Sequence, residues 1–370
     1  MITPELKNKL IEWQAREINF MAFVGFDGYV DFIQKAVKTN SKEEKVYFQT
    51  LHELGAHITN AAGKSAQVEL STQVKKLGGN GPIMANALAS LGISNYCAGT
   101  MGYPVIHEVF KEMHPRCHLL SLTEPGISNA LEFEDGKLIL SELSAFDQLD
   151  FSFIQQRHGA NYLDEALQKS KLISMVDWAN LPLCTSMWAQ LFEHLKSLLT
   201  DQKIFFFDLC DPSKKTSQEI QEVLDVISQF KVLGTTIMGL NENEARKVFK
   251  ALSGEKSSDN DYDDFLPSDD LQKISEYIFK KMQIDALMVH PVDRTILVTP
   301  GDSYMQSGKV ITHPKLLTGG GDNLNAGFCF GLLLGCTWEE SMELGMATSG
   351  AYVQNGVSPD IDTLIAFMEI

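Results

Sequence analysis

The residues best placed to do chemistry lie late in the chain. Leu316-Leu317-Thr318-Gly319-Gly320-Gly321-Asp322 runs into Asn323-Leu324-Asn325-Ala326-Gly327 and then the apolar stretch Phe328 to Leu334. Glycines ahead of a helix let the backbone approach a ligand closely and adopt unusual torsions. The first turn of such a helix offers free N–H groups and the positive end of the dipole, a ready anion site. A carboxylate there costs little. With a phosphoryl group over Gly319, Gly320 and Gly321, Asp322 is placed to take a proton from an attacking hydroxyl. The same residues also admit a structural reading, since Asp is a favoured helix cap and the glycines can be a plain loop.

Other stretches carry weaker signals. The apolar run Phe20 to Val24 ends in Gly25-Phe26-Asp27-Gly28-Tyr29-Val30-Asp31. Two acids beyond the carboxyl end of a buried strand lie where ligands gather in open α/β sheets, although Asp27-Gly28 equally suits a turn. Gly78-Gly79-Asn80-Gly81-Pro82 is a second glycine-rich loop, opening a small-residue helix through Gly92. Asn241 and Glu244 have the spacing of a helix capping box. The nine histidines form no H-E-x-x-H motif, and no protein-ligated zinc is expected. No P-loop sequence is present.

The elements that must position these residues follow from periodicity. Residues 4–16 read as a short amphipathic helix and 19–25 as a buried strand. Residues 38–75 are polar and mixed, with helical spacing at Phe48, Leu51 and Leu54. Residues 117–145 read as antiparallel β, with Glu134-Asp135-Gly136-Lys137 as a turn, and so as a lid or edge sheet. From about residue 163 the chain alternates helix and strand. Strands end at Asp177, Asp208, Gly239 and Val289, two more follow up to Lys309, and helices 323–334 and 338–353 close the chain. Repeated βα units imply a parallel sheet covered by helices. Residues 254–269, rich in Asp, read as a surface loop.

Length and composition bound the function. The chain has 370 residues, 44 % hydrophobic and 21 % charged, enough for one large α/β domain. A net charge of −17 argues against nucleic acid or an anionic membrane as partner. The six cysteines are scattered without a C-x-x-C pair and read as reduced core residues of a cytoplasmic protein. The charged N-terminus does not fit a signal peptide. No segment approaches the roughly 20 apolar residues of a spanning helix.

Four features, in this order along the chain, resemble the ribokinase-like, PfkB-type family of carbohydrate kinases. Gly78-Gly79 precedes a helix ending Ala89-Ser90-Leu91-Gly92, Asp208-Leu209-Cys210-Asp211-Pro212 ends a strand, Asn241-Glu242-Asn243-Glu244 matches an N-x-x-E motif, and Gly319 to Gly327 resembles G-A-G-D-x-F-x-A-G. The resemblance spans roughly residues 20–358. It implies a single three-layer α/β/α domain over 1–370, with a mostly parallel central sheet and a small β lid from parts of 32–75 and 117–145.

It further implies an ATP- and Mg²⁺-dependent kinase acting on a hydroxyl of a sugar or sugar-like molecule. Asp322 would be the general base, and the N–H groups of Gly319, Gly320 and Gly321 the anion hole. Asp31 or Asp27 would bind substrate hydroxyls, with Gly79 and Asn80 lining the same pocket. Asn241 and Glu244 would organise water around the metal. A lid exposed at its edge could pair with a second copy to form a homodimer.

The chain also departs from the pattern. Leu316-Leu317 replaces the usual Asp-Thr, Ile83 stands where the family has a substrate-binding Asn, and His290-Pro291-Val292 replaces T-x-G beside the nucleotide. His290 would therefore alter the adenine side of the nucleotide site. The departures keep two alternatives open: a degenerate member that binds a sugar or nucleotide without turnover, and a nucleoside kinase.

Overall fold

The run Lys203-Ile204-Phe205-Phe206-Phe207-Asp208 shows how the molecule is layered. Phe205 and Phe207 belong to one buried cluster and Phe206 to another. Successive side chains of a strand point to opposite faces, so this strand is covered on both sides, as parallel strands are. The computed structural model describes residues 2–16, 20–41, 44–254 and 271–369. The acidic segment read as a surface loop lies almost wholly outside the described residues.

The chain opens with α1 (Pro4–Gln14), β1 (Met21–Gly25), β2 (Tyr29–Asn40), β3 (Lys45–Tyr47), α2 (Leu51–Asn60), β4 (Glu69–Gly78), α3 (Asn80–Ser90) and β5 (Asn95–Gly99). Then come β6 (Cys117–Ser121), β7 (Gly126–Phe133), β8 (Gly136–Glu142), α4 (Phe151–His158) and α5 (Ala160–Lys169). The alternating part comprises β9 (Ser170–Met175), α6 (Cys184–Leu198), β10 (Lys203–Asp208), α7 (Ser217–Gln229), β11 (Gly234–Leu240), α8 (Glu242–Ser253), α9 (Leu271–Met282) and β12 (Ala286–Val289). The chain ends with β13 (Arg294–Thr299), β14 (Asp302–Ser307), α10 (Gly320–Leu333), α11 (Trp338–Asn355) and α12 (Ile361–Glu369).

Nine strands form the large sheet in the order β14-β13-β12-β11-β10-β9-β1-β5-β6. Pairing is parallel from β6 through β12 and antiparallel from β12 to β14. One face carries the cluster around Trp188, Phe205, Phe207 and Phe230 under α4 to α9. The other carries Val24, Phe206, Phe328 and Phe330 under α1, α3 and α10 to α12. The chain leaves β1 in the middle of this sheet, builds one edge with β5 and β6, and returns to β9 on the other side of β1. Ligand clefts form outside the carboxyl ends at such a reversal.

The second sheet runs β3-β2-β7-β8, with β4 also paired to β2. Its own buried core is small: Ala36, Phe48, Leu54 and Leu131. The expected hairpin is present as β7 and β8, but its turn is shorter than Glu134–Lys137, because Gly136 and Lys137 already pair with Phe133 and Glu132. Two boundaries of the expected lid need correction. Cys117–Ser121 is not part of the lid, because it pairs in parallel with β5 at the edge of the large sheet. The lid also reaches outside 32–75, since β2 begins at Tyr29 and β4 ends at Gly78. Both strands are half exposed along their length, so their sequences lack the continuous apolar signature that marked β1 and β10. Among the described residues no helix is long and apolar enough to cross a membrane.

Candidate active site

A cleft of about 400 Å³ lies between the two sheets, lined by lid residues, by strand ends and by the start of α10. Its floor is built from turns that follow strands. Asp208 ends β10, Asn241 caps α8 after β11, and His290 follows β12. Gly319 to Asp322 opens α10.

The glycine turn is the most informative part. Gly320 N–H donates to Leu317 O at 3.2 Å, and Gly319 has φ 94° and ψ 0°. These are the torsions of the third residue of a type II turn, which glycine adopts without strain. Gly320 therefore departs from its expected role: its N–H is spent inside the turn and it does not line the cleft. Among the described residues no protein group accepts the N–H of Gly319, Gly321 or Asp322. Those three donors, all on cleft-lining residues, leave an anion-binding helix start.

Asp322 is 8 % exposed. Burial, then the charges of Asp208 and Asp27, hold its carboxyl well above the usual range, while the Asn80 side chain pulls the other way. A carboxylate raised in this manner is a better proton acceptor than one in water.

Asp27 and Asp31 were alternatives, and the structure separates them. Asp27 is fully buried, and its two oxygens accept the N–H groups of Asn80 and Gly81 at 2.7 Å each. It anchors the first turn of α3 and does not line the cleft, so it is not a sugar contact. Gly79, at φ 102°, must be glycine, because a Cβ would lie 2.6 Å from Asp27 Oδ2. Gly79 and Asn80 line the cleft, as does Asp31. Burial raises the Asp31 carboxyl, opposed by Lys76, Ser128 and Lys137.

The lid wall reads directly from the pleat. Tyr29, Asp31 and Ile33 on β2, Ser128 and Ala130 on β7, and Lys137, Ile139 and Ser141 on β8 face the cleft at every second position. Register places Asp31 beside Ser128 and Ser128 beside Ser141, a polar row. Ile33, Ala130 and Ile139 form an apolar row next to it.

On the strand-end side, Asn241 and Glu244 form the full capping box. Glu244 Oε2 accepts Asn241 N–H at 2.8 Å, Oε1 accepts Asn241 Nδ2 at 2.5 Å, and Asn241 Oδ1 accepts Glu244 N–H at 3.0 Å. Burial and the charge of Asp208 raise the Glu244 carboxyl. Both Glu244 oxygens accept hydrogen bonds within this box, and Glu244 lines the cleft. No group of three His, Cys, Asp or Glu side chains among the described residues forms a metal cage.

His290 lines the cleft close to the start of α10. Its backbone N–H donates to Leu240 O, which seats the ring beside the glycine turn, with Cε1 3.3 Å from where a Gly321 Cβ would be. Its Nε2 is shielded and has no partner, and burial pushes the ring down to about 4, so it is neutral near pH 7.

Several cleft residues lie outside the site set expected from the sequence, although Asp208 to Asp211 belong to the strand-end motif quoted above. Asp208 accepts Cys210 N–H at 2.8 Å and Asn325 Nδ2 at 2.7 Å. Asp177 accepts the Tyr29 hydroxyl at 2.7 Å and Asn180 Nδ2 at 2.6 Å, tying the first lid residue to the end of β9. Asn180, Cys210, Asp211 and Lys137 also line the cleft. The acids at strand ends could have been found from position alone, the lid residues only from register.

A model of the prokaryotic ketohexokinase family matches residues 16–370. A ketohexokinase of Haloferax volcanii is 27 % identical over 347 residues, covering 93 % of this chain and 89 % of that protein. Among solved structures, a ribokinase of Thermotoga maritima aligns with TM-score 0.63 at 15 % identity, over 95 % of this chain and 100 % of the other. A ribokinase of Arabidopsis thaliana complexed with ribose and ATP aligns with TM-score 0.65 at 14 % identity, with the same coverage. The structural likenesses show the ribokinase-like fold, with the smaller sheet as its lid. The chain belongs to the prokaryotic ketohexokinase family and is a carbohydrate phosphotransferase.

Proposed function

We propose that this protein transfers the γ-phosphoryl group of ATP to a hydroxyl of a ketohexose, with Asp322 as general base. One observation carries the reading: the Asp322 carboxyl and the unpartnered N–H groups of Gly319, Gly321 and Asp322 line one cleft, opposite the polar lid row of Asp31, Ser128 and Ser141. The ketohexose comes from the Haloferax relative's name and from the family; ATP is a ligand of the Arabidopsis structure.

The residues present fit both implied groups. Free N–H donors at a helix start and the orphaned His290 Nε2 suit phosphate oxygens. Asp208 and Asp211, with Glu244 behind them, would hold the water shell of Mg²⁺, which binds through few carboxylates and keeps several waters. When bound, the ion supplies neutralisation of phosphate charge.

The lid row binds sugar hydroxyls, and the apolar row of Ile33, Ala130 and Ile139 covers its C–H face. Asp322 accepts the proton of the attacking hydroxyl. The glycine N–H groups face the charge on the transferred group, where preorganised donors act most strongly. Lid and floor together exclude water.

The test is ADP release from ATP and Mg²⁺ with D-fructose and other ketohexoses, beside aldoses and nucleosides, for wild type and Asp322→Asn. Ketohexose-dependent release that disappears in the variant is the expected outcome. Release with nucleosides alone overturns the substrate class; undiminished release by Asp322→Asn overturns the base.

A further inference from the structure

The Thr318–Gly319 peptide is the central peptide of the turn that opens α10. Its neighbour, the Gly319–Gly320 peptide, is fixed at both ends. That N–H donates to Leu317 O, and that carbonyl accepts Asn323 N–H at 3.1 Å and Asn323 Nδ2 at 2.9 Å. The Thr318–Gly319 peptide has one restraint. Tyr352, from α11, donates its hydroxyl to Thr318 O at 2.8 Å. Among the described residues no other group donates to that carbonyl.

Peptide units are planar and trans, so the C=O and N–H of one unit point in opposite directions. Holding Thr318 O toward Tyr352 therefore turns Gly319 N–H the other way, toward the cleft that Gly319 lines. Type I and type II turns share their end residues and differ in the orientation of this central peptide. Turned over, the peptide would present Thr318 O to the cleft and withdraw Gly319 N–H. A carbonyl oxygen there would repel an anion.

We propose that Tyr352 is a latch on this peptide, and so a positioning residue for phosphoryl transfer that acts through Gly319. The inference rests on the reading that the glycine turn binds the transferred group. Two further facts fit it. Tyr352 is 7 % exposed and does not line the cleft, so its hydroxyl is not a substrate contact. A Cβ on residue 319 would lie 2.8 Å from Tyr352 Oη, so the latch and a side chain at 319 exclude each other.

The test is Tyr352→Phe, which keeps the ring and removes the hydroxyl, measured for kcat, KM of both substrates and melting temperature. Deleting one preorganised donor outright lowers turnover about 100- to 1000-fold. Losing only its latch leaves part of the population correctly turned, so about a 10-fold fall in kcat is expected. Both KM values should stay within about twofold and the melting temperature within about 2 °C. Unchanged kcat overturns the latch. So does a raised sugar KM at unchanged kcat, which would make the hydroxyl a substrate contact. A fall in kcat that follows a large drop in melting temperature also overturns it.

Gly319→Ala, measured alongside, separates this inference from the reading beneath it. Loss of turnover in Gly319→Ala with normal Tyr352→Phe sinks only the latch. Normal turnover in both folded variants sinks the anion-binding role of the turn.

Discussion

The floor of the cleft and its lid are built on opposite principles. Asp208, Glu244 and Asp322 on the floor, and the buried Asp27 that anchors α3, are all at most 8 % exposed, and Asp27, Asp208 and Glu244 each accept two hydrogen bonds or more. Donors and acceptors there are oriented before any ligand arrives, which is how electrostatic catalysis avoids reorganisation. The lid has a small core, and its charges pair in water: Lys38 with Glu53, Lys45 with Glu69, Lys137 with Glu132. Such pairs contribute little. Large apolar side chains such as Val74 and Leu140 are about half exposed. A rigid floor suits a fixed reaction, while a lightly anchored wall suits selection and closure.

Substitutions on each side should sharpen this contrast or break it. The largest effect belongs to the floor. Asp322→Asn should lower kcat by about 100- to 10,000-fold while sugar and nucleotide still raise the melting temperature. A loss below tenfold would mean that the floor does not supply the base. The raised Asp322 carboxyl also sets a pH dependence. The base works only when ionised, so kcat/KM should fall on the acid side, with its midpoint above the ordinary carboxylate value.

Asp177 tests the hinge between floor and lid. Burial pushes its carboxyl up to about 6. A raised acid favours the folded state most fully below its unfolded pKa, and that contribution is lost as pH rises through the folded value. Asp177→Asn removes the titration while keeping an acceptor for Tyr29. Denaturant unfolding should therefore show the variant gaining on wild type as pH rises from about 3 to about 7, by up to roughly 3 kcal/mol in total. A gap that stays constant with pH would mean that Asp177 does not titrate in this range.

On the lid, Asp31→Ala should act on binding. Loss of charged hydrogen bonds, worth about 1.5–3 kcal/mol, raises the sugar KM by about 10- to 100-fold, with kcat changed far less. Equal losses in kcat would place Asp31 in the chemistry and blur the division. A smaller effect is expected at His290. His290→Leu should raise the KM for the phosphoryl donor about 3- to 10-fold through one lost hydrogen bond. His290→Gln, which keeps an N–H near the Nε2 position, should recover most of it. The smallest effect is Leu140→Thr, within about 0.5 kcal/mol by chemical unfolding. A larger change would show that the lid surface is covered in an assembly.

What could be read in advance divides along a similar line. The glycine-Asp stretch, the capping box of Asn241 and Glu244, and the buried strands are contiguous in sequence, and their signals survived intact. The lid strands β2 and β4 carry no clear strand signal, because each exposes much of its length and neither alternates cleanly. Cys117–Ser121 reads like the hairpin strands that follow it, since nothing within five residues reveals which sheet a strand joins. Gly320 resembled its neighbours, and only the turn geometry took its N–H out of the cleft.

By itself, the sequence determined the alternating α/β order, the helix start at Gly319 to Asp322 and the resemblance to ribokinase-like, PfkB-type carbohydrate kinases. Those features depend on neighbours within a few residues, where periodicity, capping and glycine torsions act. The tertiary structure alone decided that Asp31 faces the cleft and Asp27 anchors α3, and that His290 lies beside the glycine turn. It also decided that Tyr352, about thirty residues beyond Asp322, holds the carbonyl of Thr318. The pleat of a sheet, the register between its strands and the packing of α10 on α11 set those outcomes, and each joins residues that are remote along the chain.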